Sequence, residues 1–413
     1  MPTFQENLAG LKGVDDISRI VLYQNGQAIS VIPNENGKKG SLKVFANLVG
    51  FENGTLTDAD ITSGLELFAE HTEDARLNPG KHPNIDILLR DPSAVPIKVV
   101  IDYKIPNDLQ ERVEKHTAMK KAGTLTGTYY REPALETFNE VMDLLERGHL
   151  RTANYVDGRW QANSWVKSAI LLGFYLGNVK VIYSGDDIQF TDKITFPLRK
   201  INEDSGIRVT PPAAAIRRGA YAGRGTVFMS PAYVNFGAYV GQGTMVELLA
   251  GSCSQVGRNS HISAGAVIGG VLDPVEATPV ILGDNILIGE GSGVTQGTRL
   301  DDLVTLASGV HISKGTPVLD PINGVAYTSQ GVRELEEVKI GSMGSGDSII
   351  LYRVGKFMQE KDPSFGPEVP RGALVVPGII LSRSGTLRVA PTIAKYISNP
   401  SERPYALEEA LRS

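Results

Sequence analysis

Four residues in the middle of the chain have side chains that could do chemistry: Glu247, Cys253, His261 and His311. A carboxylate or a neutral imidazole can take a proton from a reacting group, which typically accelerates a reaction about 10²–10⁴-fold. A cysteine acts as a nucleophile through its thiolate, and no histidine is placed to activate Cys253, so we expect a small buried residue there. The two histidines could serve as bases or as metal ligands.

These residues lie within a six-residue repeat between Ala220 and Pro321. The chain divides into AYAGRG, TVFMSP, AYVNFG and AYVGQG, and the same unit returns as SHISAG, VILGDN, ILIGEG and VHISKG. The third position of each unit is small or apolar: Ala222, Phe228, Val234, Val240, Val246, Val256, Ile262, Ile268, Leu282, Ile288, Val294, Leu300, Leu306, Ile312 and Val318. A strict period held for this long indicates the fold before any other feature does.

Six residues suffice for one short strand and one turn, and three such units close a coil of about 18 residues. The third residue of each unit then points inward and stacks on its equivalent in the next coil, while glycine suits the tight corners. The fold class predicted is mainly β: a left-handed parallel β-helix of hexapeptide repeats, with an α+β N-terminal domain and a small C-terminal β region.

The repeat is interrupted twice. "LDPVEATP", residues 272–279, adds eight residues, which we interpret as a loop leaving one corner of a coil. "AGSC", residues 250–253, breaks the count shortly after Glu247, and we interpret it as a unit shortened by two residues. Irregular positions on a repetitive scaffold are where functional sites tend to lie.

The rest of the chain is divided by its local patterns. Asn25-Gly26 and Asp157-Gly158 predict hairpin turns, and helices are predicted from Thr57 or Asp58 to residue 77, from Pro133 to Gly148, and from Ser164. The division expected is 1–130 as an α+β domain of unclear role, 131–205 as a helical and hairpin region on the substrate side, 206–325 as the β-helix, and 326–413 as an insert, a final coil and a C-terminal β region. Within the last part, residues 386–397 are predicted as a strand pair and the tail from Arg403 as a short helix.

The totals exclude several classes of protein. The net charge of −5 argues against nucleic acid as the main partner. No apolar run is long enough to span a membrane, and the first residues lack the pattern of a signal peptide. One cysteine excludes an internal disulfide and favours a reducing compartment, so a cytoplasmic location is expected.

His261 and His311 both occupy the second position of their repeat units, which invites a zinc site of three histidines. A third histidine is missing from the repeat, because the remaining ones lie outside it at positions 71, 82, 116 and 149. We therefore predict no metal site. A role as a base for His261 or His311 stays open, since a neutral imidazole can accept a proton.

The repeat region resembles the tetrahydrodipicolinate N-succinyltransferase family. The similarity is carried by "IRVTPPAAAIRRGAYAGRGTVFMSPAYVNFGAYVGQGTMVE" at 207–247 and "GSCSQVGRNSHISAGAVIGGVLDPVEATP" at 251–279. "LLERGHLRTANYVDGRWQANSWVKSAILLGFYL" at 144–176 is similar to the family's helical N-terminal region, and "VPRGALVVPG" to "APTIAKY" extends the match. The resemblance implies transfer of a succinyl group from succinyl-CoA to the amine of ring-opened tetrahydrodipicolinate, in lysine and diaminopimelate biosynthesis.

The resemblance also implies roles for particular residues. The catalytic carboxylate that follows "GTMV" falls at Glu247, and the substrate-binding positions fall at Arg208 and Ser252. Positions on the CoA path are Ala264, Gly265, Gly315, Lys339 and Arg353, the last two matched loosely across the insert at 331–362. Succinyl-CoA would be a cosubstrate, with no permanently bound cofactor, and a homotrimer with active sites between neighbouring β-helices is expected.

The chain departs from the family pattern close to Glu247. An arginine found two residues later in long members is Leu249 here, and an acidic position of short members falls on Gly293, with Glu290 nearby. These departures keep a second hypothesis open: a related CoA-dependent N-acyltransferase with another acyl donor or amino-acid acceptor. A third, less favoured, is a non-enzymatic scaffold.

Overall fold

The computed structural model describes residues 2–90, 96–183, 189–342, 348–360, 365–382 and 384–403. The chain divides into two compact units. The first comprises Met1–Asn107, Gly148–Leu150 and Asn154–Gln161, and the second comprises Asp108–Arg147, Arg151–Ala153 and Ala162–Ser413. The domain boundaries drawn from the sequence stay a prediction.

The first unit is an α+β structure around one antiparallel sheet. Its helices are α1 (Phe4–Gly10), α2 (Lys39–Leu48), α3 (Asp58–Phe68), α4 (Glu70–Leu77) and α5 (Pro83–Leu89), and its strands are β1 (Ile17–Gln24), β2 (Gln27–Pro33), β3 (Gly54–Thr55) and β4 (Ile97–Tyr103). The strand order is β2-β1-β4-β3. The apolar side of the sheet packs on the helices around Ile20, Leu22, Phe45 and Val99, all of them fully buried.

The two local predictions in this unit have different outcomes. Asn25 and Gly26 both adopt positive φ, 51° and 75°, so the hairpin between β1 and β2 is confirmed. The helix start is also confirmed, because Thr57 and Asp60 form a capping box. The single helix predicted to residue 77 is wrong: Ala69 has φ 46° and ψ −121°, which separates α3 from α4.

Three helices and two hairpins come next along the chain. They are α6 (Leu109–Lys121), α7 (Gly127–Glu146), the hairpin β5 (Ala153–Val156) and β6 (Arg159–Ala162), α8 (Ser164–Leu176), and the hairpin β7 (Val179–Tyr183) and β8 (Gln189–Lys193). The first hairpin belongs to the first unit apart from its end residues, Ala153 and Ala162, and the other elements belong to the second unit. The turn at Asp157-Gly158 and the start of α8 are confirmed. The start of α7 at Pro133 is wrong, because proline removes only one backbone donor and the helix extends six residues further back, to Gly127.

Three parallel sheets of two-residue strands form the β-helix, and each third strand returns to the same sheet. Face 1 contains β9 (Arg208–Val209), β12 (Val227–Phe228), β15 (Met245–Val246), β18 (His261–Ile262), β21 (Leu287–Ile288) and β24 (Thr305–Leu306). Face 2 contains β10 (Ala215–Ile216), β13 (Tyr233–Val234), β16 (Leu249–Ala250), β19 (Val267–Ile268), β22 (Gly293–Val294) and β25 (His311–Ile312). Face 3 contains β11 (Tyr221–Ala222), β14 (Tyr239–Val240), β17 (Gln255–Val256), β20 (Ile281–Leu282) and β23 (Arg299–Leu300).

The inward stack follows the predicted third positions. All of them are buried and belong to one continuous apolar core. Phe228 pairs with Val246 one coil later, 18 residues along the chain. The parallel β-helix is thereby confirmed, and its left hand stays a prediction from the resemblance.

The short step in the repeat is at Glu247, not at "AGSC". The corner between β15 and β16 contains only Glu247 and Leu248, whereas the corresponding corners of the coils before and after it contain four residues. Ala250 takes the inward position on face 2, paired with Val234 and Ile268, so six residues again separate it from Val256. The extra eight residues lie where predicted, between β19 and β20.

The C-terminal part continues the coil after an insert. The strands are β26 (Val318–Asp320), β27 (Val325–Thr328), β28 (Gly331–Ser342), β29 (Ser348–Glu360), β30 (Glu368–Val369), β31 (Ala373–Val376), β32 (Ile379–Leu381), β33 (Leu387–Val389) and β34 (Thr392–Tyr396), followed by a 3₁₀ turn at Pro400–Glu402. Another 3₁₀ turn, Glu203–Ser205, precedes β9. The predicted final coil is confirmed, because β30 and β31 pair with β23 and β24.

Two expectations for this region need correction. Val318 is buried in the same core, but its strand pairs with β27 and β34, and Val369 stacks beside Leu300 instead. Residues 386–397 do form two strands, yet β33 pairs with β32 and β34 pairs with β31 and β26, so they are not a pair. The predicted tail helix lies almost wholly outside the described residues.

Candidate active site

Glu247 lies in the shortened corner between faces 1 and 2, which we call the first corner. Its amide donates to the carbonyl of Ile262 in the next coil, 2.9 Å away, so the backbone is fixed even in a two-residue turn. The side chain is 26% exposed. Loss of two residues therefore leaves the carboxylate close to the outer surface of face 1.

His261 is the direct partner of that carboxylate. Its Nε2 lies 2.7 Å from Oε1 of Glu247. The contact follows from the register, because Met245 pairs with His261 and Glu247 comes two residues after Met245. An ionised carboxylate only accepts hydrogen bonds, so Nε2 of His261 is the donor in this contact. The two side chains form a hydrogen-bonded carboxylate–imidazole pair.

The sequence signal for this pair was available but was not used. The sequence left His261 open as a base on its own, and His261 lies one coil after Met245 in the repeat. His311 occupies the same repeat position but lies on face 2, so the two histidines face outward on different sides of the β-helix. Among the residues the structure describes, no group of three or more His, Cys, Asp or Glu side chains could hold a metal ion.

Ala264 and Gly265 lie at the first corner, one coil beyond Glu247. Both are exposed, and Gly265 has φ 71°. The carbonyl of Ala264 accepts a hydrogen bond from the amide of Gly291 in the following coil, at 3.0 Å. Gly291 and Gly309 repeat the positive φ at this corner. The corner is thus a column of exposed backbone with little side-chain bulk, which leaves room for an extended ligand.

Arg208 lies on the outer side of face 1, in the row that continues through Val227, Met245 and His261. It is exposed, and its backbone is two strands from Met245, a separation of about 10 Å at the usual strand spacing. A guanidinium at this distance can pair with one carboxylate of a small substrate, while the other end of that substrate lies near Glu247. The structure therefore brings Arg208 to the same face as the Glu247–His261 pair.

Glu290 also belongs to the first corner. Its carbonyl accepts a hydrogen bond from Gly309, and its exposed side chain lies two coils beyond Glu247. Short members of the family have an acidic residue at the position of Gly293. In this chain Glu290 provides a carboxylate at the first corner instead.

Within one chain, Ser252 and Glu247 lie at different corners of the β-helix. Ser252 lies at the corner between faces 2 and 3, which we call the second corner, at the other end of β16. Its hydroxyl accepts a hydrogen bond from Nδ2 of Asn235 at 2.8 Å. The neighbouring Cys253 is fully buried, and burial raises the pKa of its thiol to about 12, which agrees with a structural role.

The remaining positions assigned to the CoA path are dispersed. Gly315 follows the last strand of face 2 and has open space around its Cα. Lys339 is exposed on β28, and Arg353 on β29 is half-buried, with Nε unpaired among the described residues. Arg353 is opposite Glu336, three residues from Lys339, so the two cations lie on opposite faces of the hairpin and do not converge.

In the described part of the chain, no helix is both long and apolar enough to cross a bilayer.

The coil of three parallel sheets, with a carboxylate–imidazole pair at one corner, defines a hexapeptide-repeat β-helix protein. Residues 108–176 match the model of a family described as tetrahydrodipicolinate N-succinyltransferase N-terminal. Residues 4–94 match the model of another family, described as an uncharacterized protein conserved in bacteria (DUF2322).

Curated relatives match over most of their own length. The 2,3,4,5-tetrahydropyridine-2,6-dicarboxylate N-succinyltransferase of Polynucleobacter asymbioticus is 37% identical over 282 residues, 66% of this chain and 88% of the relative. The enzymes of the same name from Acinetobacter baylyi and Idiomarina loihiensis are 34% and 35% identical, each over 67% of this chain and 89% of the relative. The chain belongs to the tetrahydropyridine dicarboxylate N-succinyltransferase family.

A solved structure adds nothing to this assignment. It is a Campylobacter jejuni protein described as a putative 2,3,4,5-tetrahydropyridine-2-carboxylate N-succinyltransferase, 19% identical and aligned over 84% of this chain and 97% of that chain. The TM-score of 0.34 carries no argument, and the fold rests on the strand pairing itself.

Proposed function

We propose that this chain transfers a succinyl group from succinyl-CoA to the amine of ring-opened tetrahydrodipicolinate, a step in lysine and diaminopimelate biosynthesis. The observation that carries the proposal is the hydrogen-bonded pair of Glu247 and His261 at the shortened corner. Family membership supports the donor and the acceptor.

The reaction forms one C–N bond and breaks one C–S bond. The acceptor nitrogen attacks the thioester carbonyl, the tetrahedral centre collapses, and the CoA thiolate leaves. The nitrogen must lose a proton as the new bond forms, and Glu247, hydrogen-bonded to His261, would accept it. The same carboxylate could order the water that opens the cyclic imine before transfer.

The substrates would meet along the first corner. Arg208 would hold one carboxylate of the acceptor through its planar fork. The exposed backbone at Ala264 and Gly265 would lie along the pantetheine arm, and Gly315, Lys339 and Arg353 would serve the remainder of CoA. Exposed amide groups at such corners can stabilise an oxyanion.

We propose that the assembly is a homotrimer acting in the cytoplasm. The outward rows of faces 1 and 2 carry half-buried apolar side chains, among them Val227, Met245, Tyr233, Leu249 and Val267. Packing of these faces against other copies would cover them. The same packing would bring the second corner of one copy, which contains Ser252 and Gly315, next to the first corner of a neighbouring copy.

Comparison of donors and acceptors tests the proposal. Thiol release and formation of the N-acylated product would be followed with succinyl-CoA and with acetyl-CoA, each with tetrahydrodipicolinate. Turnover restricted to succinyl-CoA is expected. Turnover only with acetyl-CoA, or only with other amino-acid acceptors, would overturn the assignment.

A related acyltransferase with a different acceptor is the second candidate. It is favoured by the two-residue corner and by Leu249, which puts an apolar side chain on the outer row of face 2, two residues from Glu247. A panel of amino acids and amino dicarboxylates as acceptors separates the two functions.

A further inference from the structure

Lys167 is a lysine placed where lysines are rarely found. It lies on α8, and its side chain is fully buried. Its Nζ donates to the carbonyls of Ala277, at 2.5 Å, and of Pro274, at 3.3 Å. Both carbonyls belong to the loop of residues 269–280, which leaves the second corner of the β-helix.

Burial of an ammonium is unfavourable unless the charge is compensated by hydrogen bonds or by an opposite charge. Burial lowers the pKa of Lys167, and the nearby carboxylates of Glu276 and Asp273 oppose this only in part. An apolar side chain of similar length would fill the same space without that desolvation, and such replacements of buried charges are often neutral or stabilising. The presence of the ammonium is therefore better explained by its hydrogen bonds to the loop carbonyls than by a contribution to the stability of the fold.

The loop held by Lys167 also contacts Ser252. The amide of Val271 donates to the carbonyl of Ser252 at 3.0 Å. Gly270 passes so close that a Cβ on it would lie 2.6 Å from the Ser252 nitrogen. The position of the loop and the position of the serine are thus coupled through the backbone.

We infer that Lys167 is a positioning residue for acceptor binding: it holds the loop of residues 269–280 against α8 and thereby fixes the second corner at Ser252. The loop exposes Asp273 and Glu276, each next to one of the residues whose carbonyls Lys167 contacts. These carboxylates are suited to an ammonium or amine group on the acceptor. The effect on catalysis rests on the proposed function, whereas the effect on the loop does not.

The test compares the full chain with Lys167→Met by hydrogen exchange and by steady-state kinetics. Lys193→Met is the matched control, because Lys193 also donates to a backbone carbonyl, that of Gly177 at 2.9 Å, but not in the loop. We expect faster amide exchange at 271–280 in Lys167→Met alone. We also expect the KM for the acceptor to rise about tenfold or more with a smaller change in kcat, since the loss is one of binding geometry.

Each outcome decides part of the inference. Unchanged exchange in the loop would overturn it, whatever the activity. Faster exchange with an unchanged KM would show that the loop is held by Lys167 but does not serve the acceptor. If Lys167→Met exchanges rapidly throughout and has not folded, Lys167→Gln replaces it, because its shorter, neutral amide stays polar but removes the ammonium. This variant must then show the faster exchange at 271–280. If the parent itself shows no turnover, the proposed function is refuted, but the hydrogen-exchange result remains valid.

Discussion

At the scale of single residues, the proposed proton transfer depends on a hydrogen bond between two side chains from neighbouring coils. The residues before Glu247 predict it as the catalytic carboxylate, and the structure shows that His261 is its hydrogen-bond partner. The sequence reasoning missed this partner, because the coil from Met245 to His261 is 16 residues long instead of the regular 18 and the short step was assigned to residues 250–253. The shortening itself was visible, but its location was not.

Replacement of His261 tests the pair. In His261→Gln the carboxylate of Glu247 loses its orienting partner, so kcat should fall about tenfold to a hundredfold, with the KM for succinyl-CoA little changed. His311→Gln is the control, because it makes the same change at the same repeat position on face 2. Equal losses in both variants, or none in His261→Gln, would contradict a role for the pair.

The buried ammonium of Lys167 predicts a dependence of stability on pH. Its pKa in the folded protein is lowered from the ordinary value of 10.5, so the unfolded chain binds the proton more strongly. The parent should therefore gain stability as pH rises from the lowered pKa towards 10.5, a gain that Lys167→Met cannot show. Urea unfolding of both proteins across this range should give a difference, variant minus parent, that falls with pH. A difference that is flat or rises would contradict the lowered pKa.

At the scale of elements, the repeat determines most of what could be predicted. The third positions were right because each inward side chain must fill the same space in every coil. The exceptions have local causes: a two-residue corner keeps the coil closed at Glu247, and Val369 displaces Val318 from face 3. The repeat pattern alone predicts neither exception. In the second, β30, which comes after the insert, takes the place on face 3 that the pattern assigns to β26.

The inward stack predicts unequal costs at adjacent positions. Ile288 is fully buried in the stack, and Leu287 beside it faces outward and is half-buried. Ile288→Ala should lower the free energy of unfolding by about 2–5 kcal/mol because it leaves a cavity. Leu287→Ala should cost about 1 kcal/mol or less. Urea unfolding of the two variants measures both, and similar costs would argue against the inward assignment.

At the scale of the whole molecule, the chain combines two modules. The relatives match about two thirds of it, and the first unit has its own sheet, its own apolar core and a separate family match. Sequence reasoning recognised that unit as α+β but found no catalytic group in it. The second unit contains every residue assigned to the reaction. The first corner brings together Glu247, His261, Ala264 and Gly265, with Arg208 on the adjoining face, whereas Ser252 and the CoA-side cations lie elsewhere on the chain.

The central claim is that Glu247 carries the proton transfer. Thiol release from succinyl-CoA in the presence of tetrahydrodipicolinate would be measured for the parent, for Glu247→Gln and for Glu203→Gln, an exposed glutamate with the same change of charge. We expect kcat to fall about 10²-fold or more in Glu247→Gln alone, with CoA binding retained. Parent-like turnover in Glu247→Gln would contradict it.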